Sequence, residues 1–144
     1  MKLFLRDTYL AMIRNSVGSS LFRTLYAEVG GEKKDILRDG DLSCAFFVSS
    51  ILHHFSLVKG VHATVAGLTR DLEDSGWQVT TTPREGAVVI WAPEIQKSGE
   101  AHPHAGFYLS ESEAISHSDV ERTPVVHSLT ARSISAMYTH EFLA

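Results

Sequence analysis

The side chains with nucleophilic or proton-transfer chemistry to offer are one cysteine, Cys44, and eight histidines. Cys44 opens the run S-C-A-F-F-V-S-S-I-L-H-H-F, in which Cys44, Phe47, Val48, Ile51, Leu52 and Phe55 recur at helical period. The spacing predicts a helix whose buried face begins at the thiol. Gly40 breaks what precedes it, and Asp41 or Ser43 can cap the first turn. The positive end of a helix favours thiolate over thiol, so the expectation is a lowered cysteine pKa. The plain alternative is a thiol packed as a small hydrophobe on a core face. What separates the two is whether an imidazole meets the sulfur.

Two histidines lie in strand-like surroundings. In H-A-G-F-Y-L, alternation puts His104, Gly106 and Tyr108 on one face and Ala105, Phe107 and Leu109 on the other. Gly106 leaves the His104 face open, and glycine inside a strand signals close approach of a backbone or a ligand. If the Cys44 helix covers this face, thiol and imidazole meet and His104 can act as general base. A hairpin through Leu109 to Glu113 returns His117 past His104 as an orienting third member. Backbone N–H groups at the start of the helix, chiefly that of Cys44, would receive the oxyanion. His53 and His54 fall at the solvent edge of the helix, whereas His62, His127 and His140 have no companion motif. His102 is separated from His104 by Pro103.

The elements that must position these residues follow from the pattern. Leu5, Tyr9, Met12, Ile13 and Val17, then Leu21, Leu25 and Tyr26, predict two helical pieces or one bent helix ending at Gly30 and Gly31. Residues 32–41 read as a charged loop bordering the site, and Thr64 to Ser75 as a short amphipathic helix stopped by Gly76. Strands follow at Trp77 to Thr80, Ala87 to Trp91, His104 to Leu109, Ala114 to His117, Val125 to His127 and Ile134 to Tyr138, with a polar loop from Pro93 to Pro103. Helices first and an antiparallel sheet afterwards make an α+β domain. At 144 residues it is expected to be single, with residues 1–38 as its helical extension.

A net charge of -4 with scattered Lys and Arg argues against nucleic acid as a partner. A lone cysteine fits a reducing compartment or an exported protein without bridges. The first ten residues lack a signal-peptide pattern and nothing reaches transmembrane length, so the reading is cytoplasmic, with delivery by another route open. No cofactor is called for.

These residues resemble the NlpC-type cell-wall peptidases, a compact papain-like branch with the CHAP amidases as relatives. The family's cysteine opening a helix, its Gly-Asp strand, its His-Val-Gly-Ile-Tyr-Leu strand and the polar residue on the next strand are matched by S-C-A-F-F-V, R-E-G-A-V-V-I-W, H-A-G-F-Y-L and A-I-S-H, in that order. The resemblance covers about Asp39 to Asp119. It implies a papain-like fold, Cys44 as nucleophile, His104 as base and His117 as orienting residue, acting on peptide or amide bonds of peptidoglycan stems through an acyl-enzyme. Ser43 replaces the family's Asp, and Ala45-Phe46 its Ser-Gly. The family's Tyr-x-x-Gly-Gly motif has only an echo between Tyr26 and Gly31, at a different spacing. Acyl transfer to an amine would look the same in sequence. Two other readings stand beside it: zinc held by Cys44, His104 and His117, perhaps with His102, and a binding module of the same fold without catalysis.

Overall fold

The computed structural model describes residues 1–95 and 99–144. Three helices precede most of an antiparallel sheet, the expected α+β class. Helix α1 (Leu5–Asn15) buries Tyr9 and Ile13. Helix α2 (Cys44–His54) buries Phe47, Val48, Ile51 and Leu52, the stripe that its spacing predicts. Helix α3 (Val65–Asp74) starts where Thr64 accepts a hydrogen bond from the Gly67 N–H, a side-chain cap that leaves Val65, Leu68 and Leu72 facing the core.

The second helical piece is not formed. Residues 26–35 fold as a hairpin of β1 (Tyr26–Val29) and β2 (Glu32–Asp35), paired from Tyr26↔Asp35 to Val29↔Glu32. Gly30 and Gly31, read as a helix stop, take φ of 61° and 81°. Two consecutive positive φ values turn a tight hairpin at no steric cost, so the same glycines end a strand instead. Beyond it the Asp35 carboxylate accepts the N–H groups of Leu25, Leu37 and Asp39, which shapes the loop leading to α2.

The main sheet comprises β3 (Gln78–Val79), β4 (Val88–Ile95), β5 (Ala101–Tyr108), β6 (Glu113–His117), β7 (Pro124–Ser128) and β8 (Ile134–Thr139), in the order β3-β8-β4-β5-β6-β7. Every neighbouring pair is antiparallel. The loop expected over Pro93 to Pro103 is shorter, because β4 runs on to Ile95 and β5 starts at Ala101. Its middle, 96–98, lies outside the described residues. A 3₁₀ turn (Glu141–Leu143) closes the chain.

The helices cover one face of this sheet. Phe47, Phe107, Ile115, Val88 and Ile90 form a single core with Tyr9 and Leu52. On the other face a smaller cluster gathers Val89, Trp91, Ala114 and Leu129. Among the described residues no helix is long and apolar enough to cross a membrane.

Gly106 is where the two layers depend on a missing side chain. A Cβ there would lie 2.5 Å from the Ile115 carbonyl oxygen, 2.8 Å from the Ser116 Cβ and 3.0 Å from the Trp91 ring. The close approach inferred for this glycine is thus filled by a neighbouring strand and an indole. Gly106→Ala should cost about 1–3 kcal/mol or more through overpacking, read as a lower urea midpoint at unchanged slope.

Candidate active site

The β5–β6 ladder pairs Tyr108 with Ala114, Phe107 with Ile115 and Gly106 with Ser116, and stops there. Beyond that last pair lie His104 and Ala105 on one strand and His117 on the other, and Cys44 at the head of α2 comes to this end. A groove of about 1010 Å³ opens here, lined by Cys44, His104, Ser116, His117, His127 and Arg132 among others. All three side chains singled out from the sequence border it.

They do not share one face. Antiparallel pairing makes Gly106 the partner of Ser116 and Trp91 the partner of His104, so His104, Gly106, Ser116 and Trp91 look away from the helices. Helix α2 covers the alternate residues, Ala105 and Phe107, where Phe47 packs on Phe107 with ring centroids 5.4 Å apart. The face expected to lie under α2 is therefore the opposite one. Cys44 and His104 still line one groove because both sit at the sheet's end, where the layers meet at a common opening. Among the described residues the sulfur makes no hydrogen bond to either imidazole.

His117 does not orient His104. It lies one residue from Ser116, so alternation turns it to the helix side, with its ring centroid 6.3 Å from that of Phe47. It is 2% exposed, and neither ring nitrogen has a hydrogen-bond partner among the described residues. Ser116 takes the orienting place. His104 Nε2 is hydrogen-bonded to Ser116 Oγ at 2.8 Å, and Ser116 Oγ in turn to His127 Nε2 at 2.6 Å. His127 Nδ1 reaches the Ser128 carbonyl at 2.9 Å. Nδ1 of His104 carries no hydrogen bond to another described residue.

Trp91 is the floor of this chain. It is 1% exposed, donates Nε1–H to the Leu129 carbonyl at 2.9 Å, and has the His104 and His127 rings at centroid distances of 5.5 and 5.4 Å. Sequence reading left Ser116, His127 and Trp91 out. The signal available was parity: a register pairing 106 with 116 and 114 with 127 puts them with His104.

The electrostatics correct a further expectation. Burial pushes the Cys44 thiol up, and the N–H groups of Ala105, Ala45 and Cys44 and the Arg132 guanidinium offset this only in part. Ser43 stands at the N-cap position, but with φ -93° and ψ 0° its hydroxyl makes no cap hydrogen bond. Asp41 lines the groove and pairs instead with Arg38 at 3.9 Å. Burial, with Arg132 and the His127 and His117 rings adding, pushes His104 down to about 3. Burial takes His117 down to about 4, the Ser118 backbone opposing and Arg23 adding. The resting pair is a neutral thiol and a neutral imidazole.

The remaining histidines have other duties. His53 and His54 are exposed at the end of α2, as expected. His62 Nε2 is bonded at 2.6 Å to Asp71, whose carboxylate also accepts the Lys59 and Gly60 N–H groups and the Ser75 hydroxyl. His102 pairs with Glu100 at 2.8 Å, and His140 Nδ1 accepts the Phe142 N–H at 3.0 Å. Tyr26 is 64% exposed on β1 and is not among the residues lining the groove. Among the described residues no group of three or more His, Cys, Asp or Glu side chains could hold a metal ion, so the zinc reading has no ligand set.

The groove's outer wall is clasped loop to loop. Arg38 and Asp39 have left-handed backbone, with φ of 52° and 53°, as does Arg122 at 60°. Arg122 Nη1 donates to the Asp39 carbonyl at 2.8 Å, while Arg23 Nε donates to the Arg122 carbonyl at 2.9 Å. Conformations of this kind persist only where surrounding contacts hold them.

No family model matches the chain, and no curated protein matches it either.

Because His104 and His117 are held below the usual imidazole range, the unfolded chain takes up protons that the folded one refuses. Their contribution is complete above about pH 6.5 and is lost as pH falls toward the folded values. For His117 this amounts to about 2 kcal/mol between pH 7 and pH 5. Urea unfolding of wild type and His117→Phe at these two pH values should show the variant losing less stability on acidification.

Proposed function

We propose that the domain is a cysteine peptidase or amidase of the NlpC type, with Cys44 as nucleophile and His104 as general base. The observation that carries the reading is the state of His104: its Nε2 is tied back to Ser116, while its Nδ1 carries no hydrogen bond to another described residue, in a groove that Cys44 also lines. In the resemblance drawn from the sequence, the polar residue on the following strand falls on Ser116 by register and not on His117. A peptide bound in the groove is attacked at its carbonyl carbon by Cys44 Sγ as the thiol proton passes to His104 Nδ1. Because both groups rest neutral, transfer accompanies attack and needs no preformed ion pair. The Cys44 N–H at the head of α2 faces the developing oxyanion. On collapse the C–N bond breaks, His104 returns its proton to the leaving amine, and a thioester remains. Water, deprotonated by His104, releases the acid and restores the thiol.

The peptide stems of peptidoglycan are the substrate class the resemblance supports, and the groove's breadth and mixed charge suit a short peptide. An amine acceptor in place of water would convert the same thioester by acyl transfer.

Purified protein incubated with soluble muropeptides should release a new amine detectable by mass spectrometry, and Cys44→Ala should lower the rate at least about 10³-fold. In parallel, alkylation of Cys44 at pH 7 should slow about tenfold in His104→Ala. A binding module of the same fold gives the opposite pair of results. Its thiol labels slowly with or without His104, and no muropeptide is cut.

A further inference from the structure

We propose that Ser116 and His127 are positioning residues that together fix which nitrogen of His104 is free to accept a proton. The inference deepens the reading of Cys44 and His104 as a hydrolytic pair and rests on it for its functional consequence. Its starting point is the far end of the chain of hydrogen bonds. The Ser128 carbonyl can only accept, so the His127 Nδ1 that reaches it at 2.9 Å carries a hydrogen. Neutral His127 then has a bare Nε2, which at 2.6 Å from Ser116 Oγ accepts the serine hydroxyl hydrogen. With its one hydrogen spent, Ser116 can only accept from His104 at 2.8 Å, so His104 Nε2 is the protonated nitrogen. Neutral His104 therefore presents a bare Nδ1. A backbone carbonyl two side chains away dictates the competent base.

The packing fits this role. Both imidazoles rest on the Trp91 ring, and Ser116 is 2% exposed. Gly106, opposite Ser116, admits the Ile115 carbonyl, the Ser116 Cβ and the indole where any side chain would collide. A ring of similar size but without nitrogen at position 127 should keep the packing and remove only the acceptor. Ser116 is then released to donate to His104 Nε2, which drives the hydrogen to Nδ1 and leaves no lone pair for the thiol.

The test uses the full chain, ¹⁵N-labelled, at pH 8. Long-range ¹H–¹⁵N spectra of wild type should show His104 hydrogenated at Nε2. In His127→Phe a population hydrogenated at Nδ1 should appear, and kcat for muropeptide cleavage should fall about tenfold with KM unchanged. Adding Ser116→Ala to His127→Phe removes the misdirected donor, so the double variant should regain the Nε2 form and part of the lost rate. Thermal unfolding checks that each variant is folded, and a serine-only change (Ser116→Ala) supplies the reading should His127→Phe fail to fold: its His104 stays Nε2-hydrogenated but loses ring order in relaxation measurements. The proposal is overturned if His127→Phe leaves the His104 tautomer as in wild type, or if Ser116→Ala leaves ring order unchanged where His127→Phe does not fold. It is equally overturned if the double variant is worse than both single ones. Should wild type cut no muropeptide while the spectra behave as described, the hydrolytic reading fails and the tautomer assignment stands.

Discussion

In an antiparallel sheet every side chain's face is settled by the sum of two paired residue numbers, and this site is built on that arithmetic. The pairing of Gly106 with Ser116 makes residues of even number on β5 and β6 share a face, and the pairing of Ala114 with His127 brings odd-numbered residues of β7 onto it. A slip of one residue in the β5–β6 hairpin would exchange Ser116 for His117 beside His104. In the observed register the open side of Gly106 is filled by Ser116 and Trp91. The hydrogen-bond chain and its aromatic floor follow from three adjoining registers, β4–β5, β5–β6 and β6–β7.

The layers then divide the labour. On the helix side, Phe47, Phe107 and Ile115 anchor the head of α2 against the end of the β5–β6 ladder, so hydrophobic packing carries the thiol there. On the outer side, Trp91 and Leu129 back a run of polar groups that pair with one another, partly buried from His104 to His127 and exposed where His127 meets the Ser128 carbonyl. Buried polar groups are tolerable when satisfied and costly when not. Ser116 meets this condition through two histidines. His117, on the helix side, meets it less fully: among the described residues neither ring nitrogen has a partner at hydrogen-bond distance, and the Ser118 backbone offsets its burial only in part.

Much of this is legible in the sequence. Helix α2 announced itself because five apolar residues after Cys44 hold helical spacing, and the strands because Ala87 to Trp91 and His104 to Leu109 offer runs too short and too β-branched or aromatic for helices. The groove's membership of Cys44, His104 and His117 was legible too. Which histidine faces which layer was not, because periodicity gives alternation within a strand but leaves the offset between strands to the turn. Ser116 and His127 were missed for that reason. The hairpin at Gly30-Gly31 was misread as a helix end because a pair of glycines supplies positive φ equally well to a helix stop and to a two-residue turn. Pairing across it, Tyr26 with Asp35, is a tertiary choice that local spacing does not encode.

The expected acidic thiol failed for a reason that bears on how such a site would work. A helix terminus lowers a cysteine pKa when the thiolate keeps water or a cation beside it, and here burial outweighs three backbone N–H groups and the Arg132 guanidinium. The same cation makes imidazolium at His104 costlier. Both halves of the pair are thus held neutral by one environment, and neither ionises alone without paying desolvation. In the proposed step, moving a proton from sulfur to Nδ1 would create two opposite charges at once, so that the attraction between them offsets part of the desolvation each would cost alone. On the proposed reading, a bound peptide that offers the sulfur a carbonyl carbon as the negative charge moves on to the oxygen removes the need for a standing thiolate. A hydrolytic site of the proposed kind holds no reactive ion at rest, and its rate would depend instead on the imidazole being presented with the correct nitrogen bare.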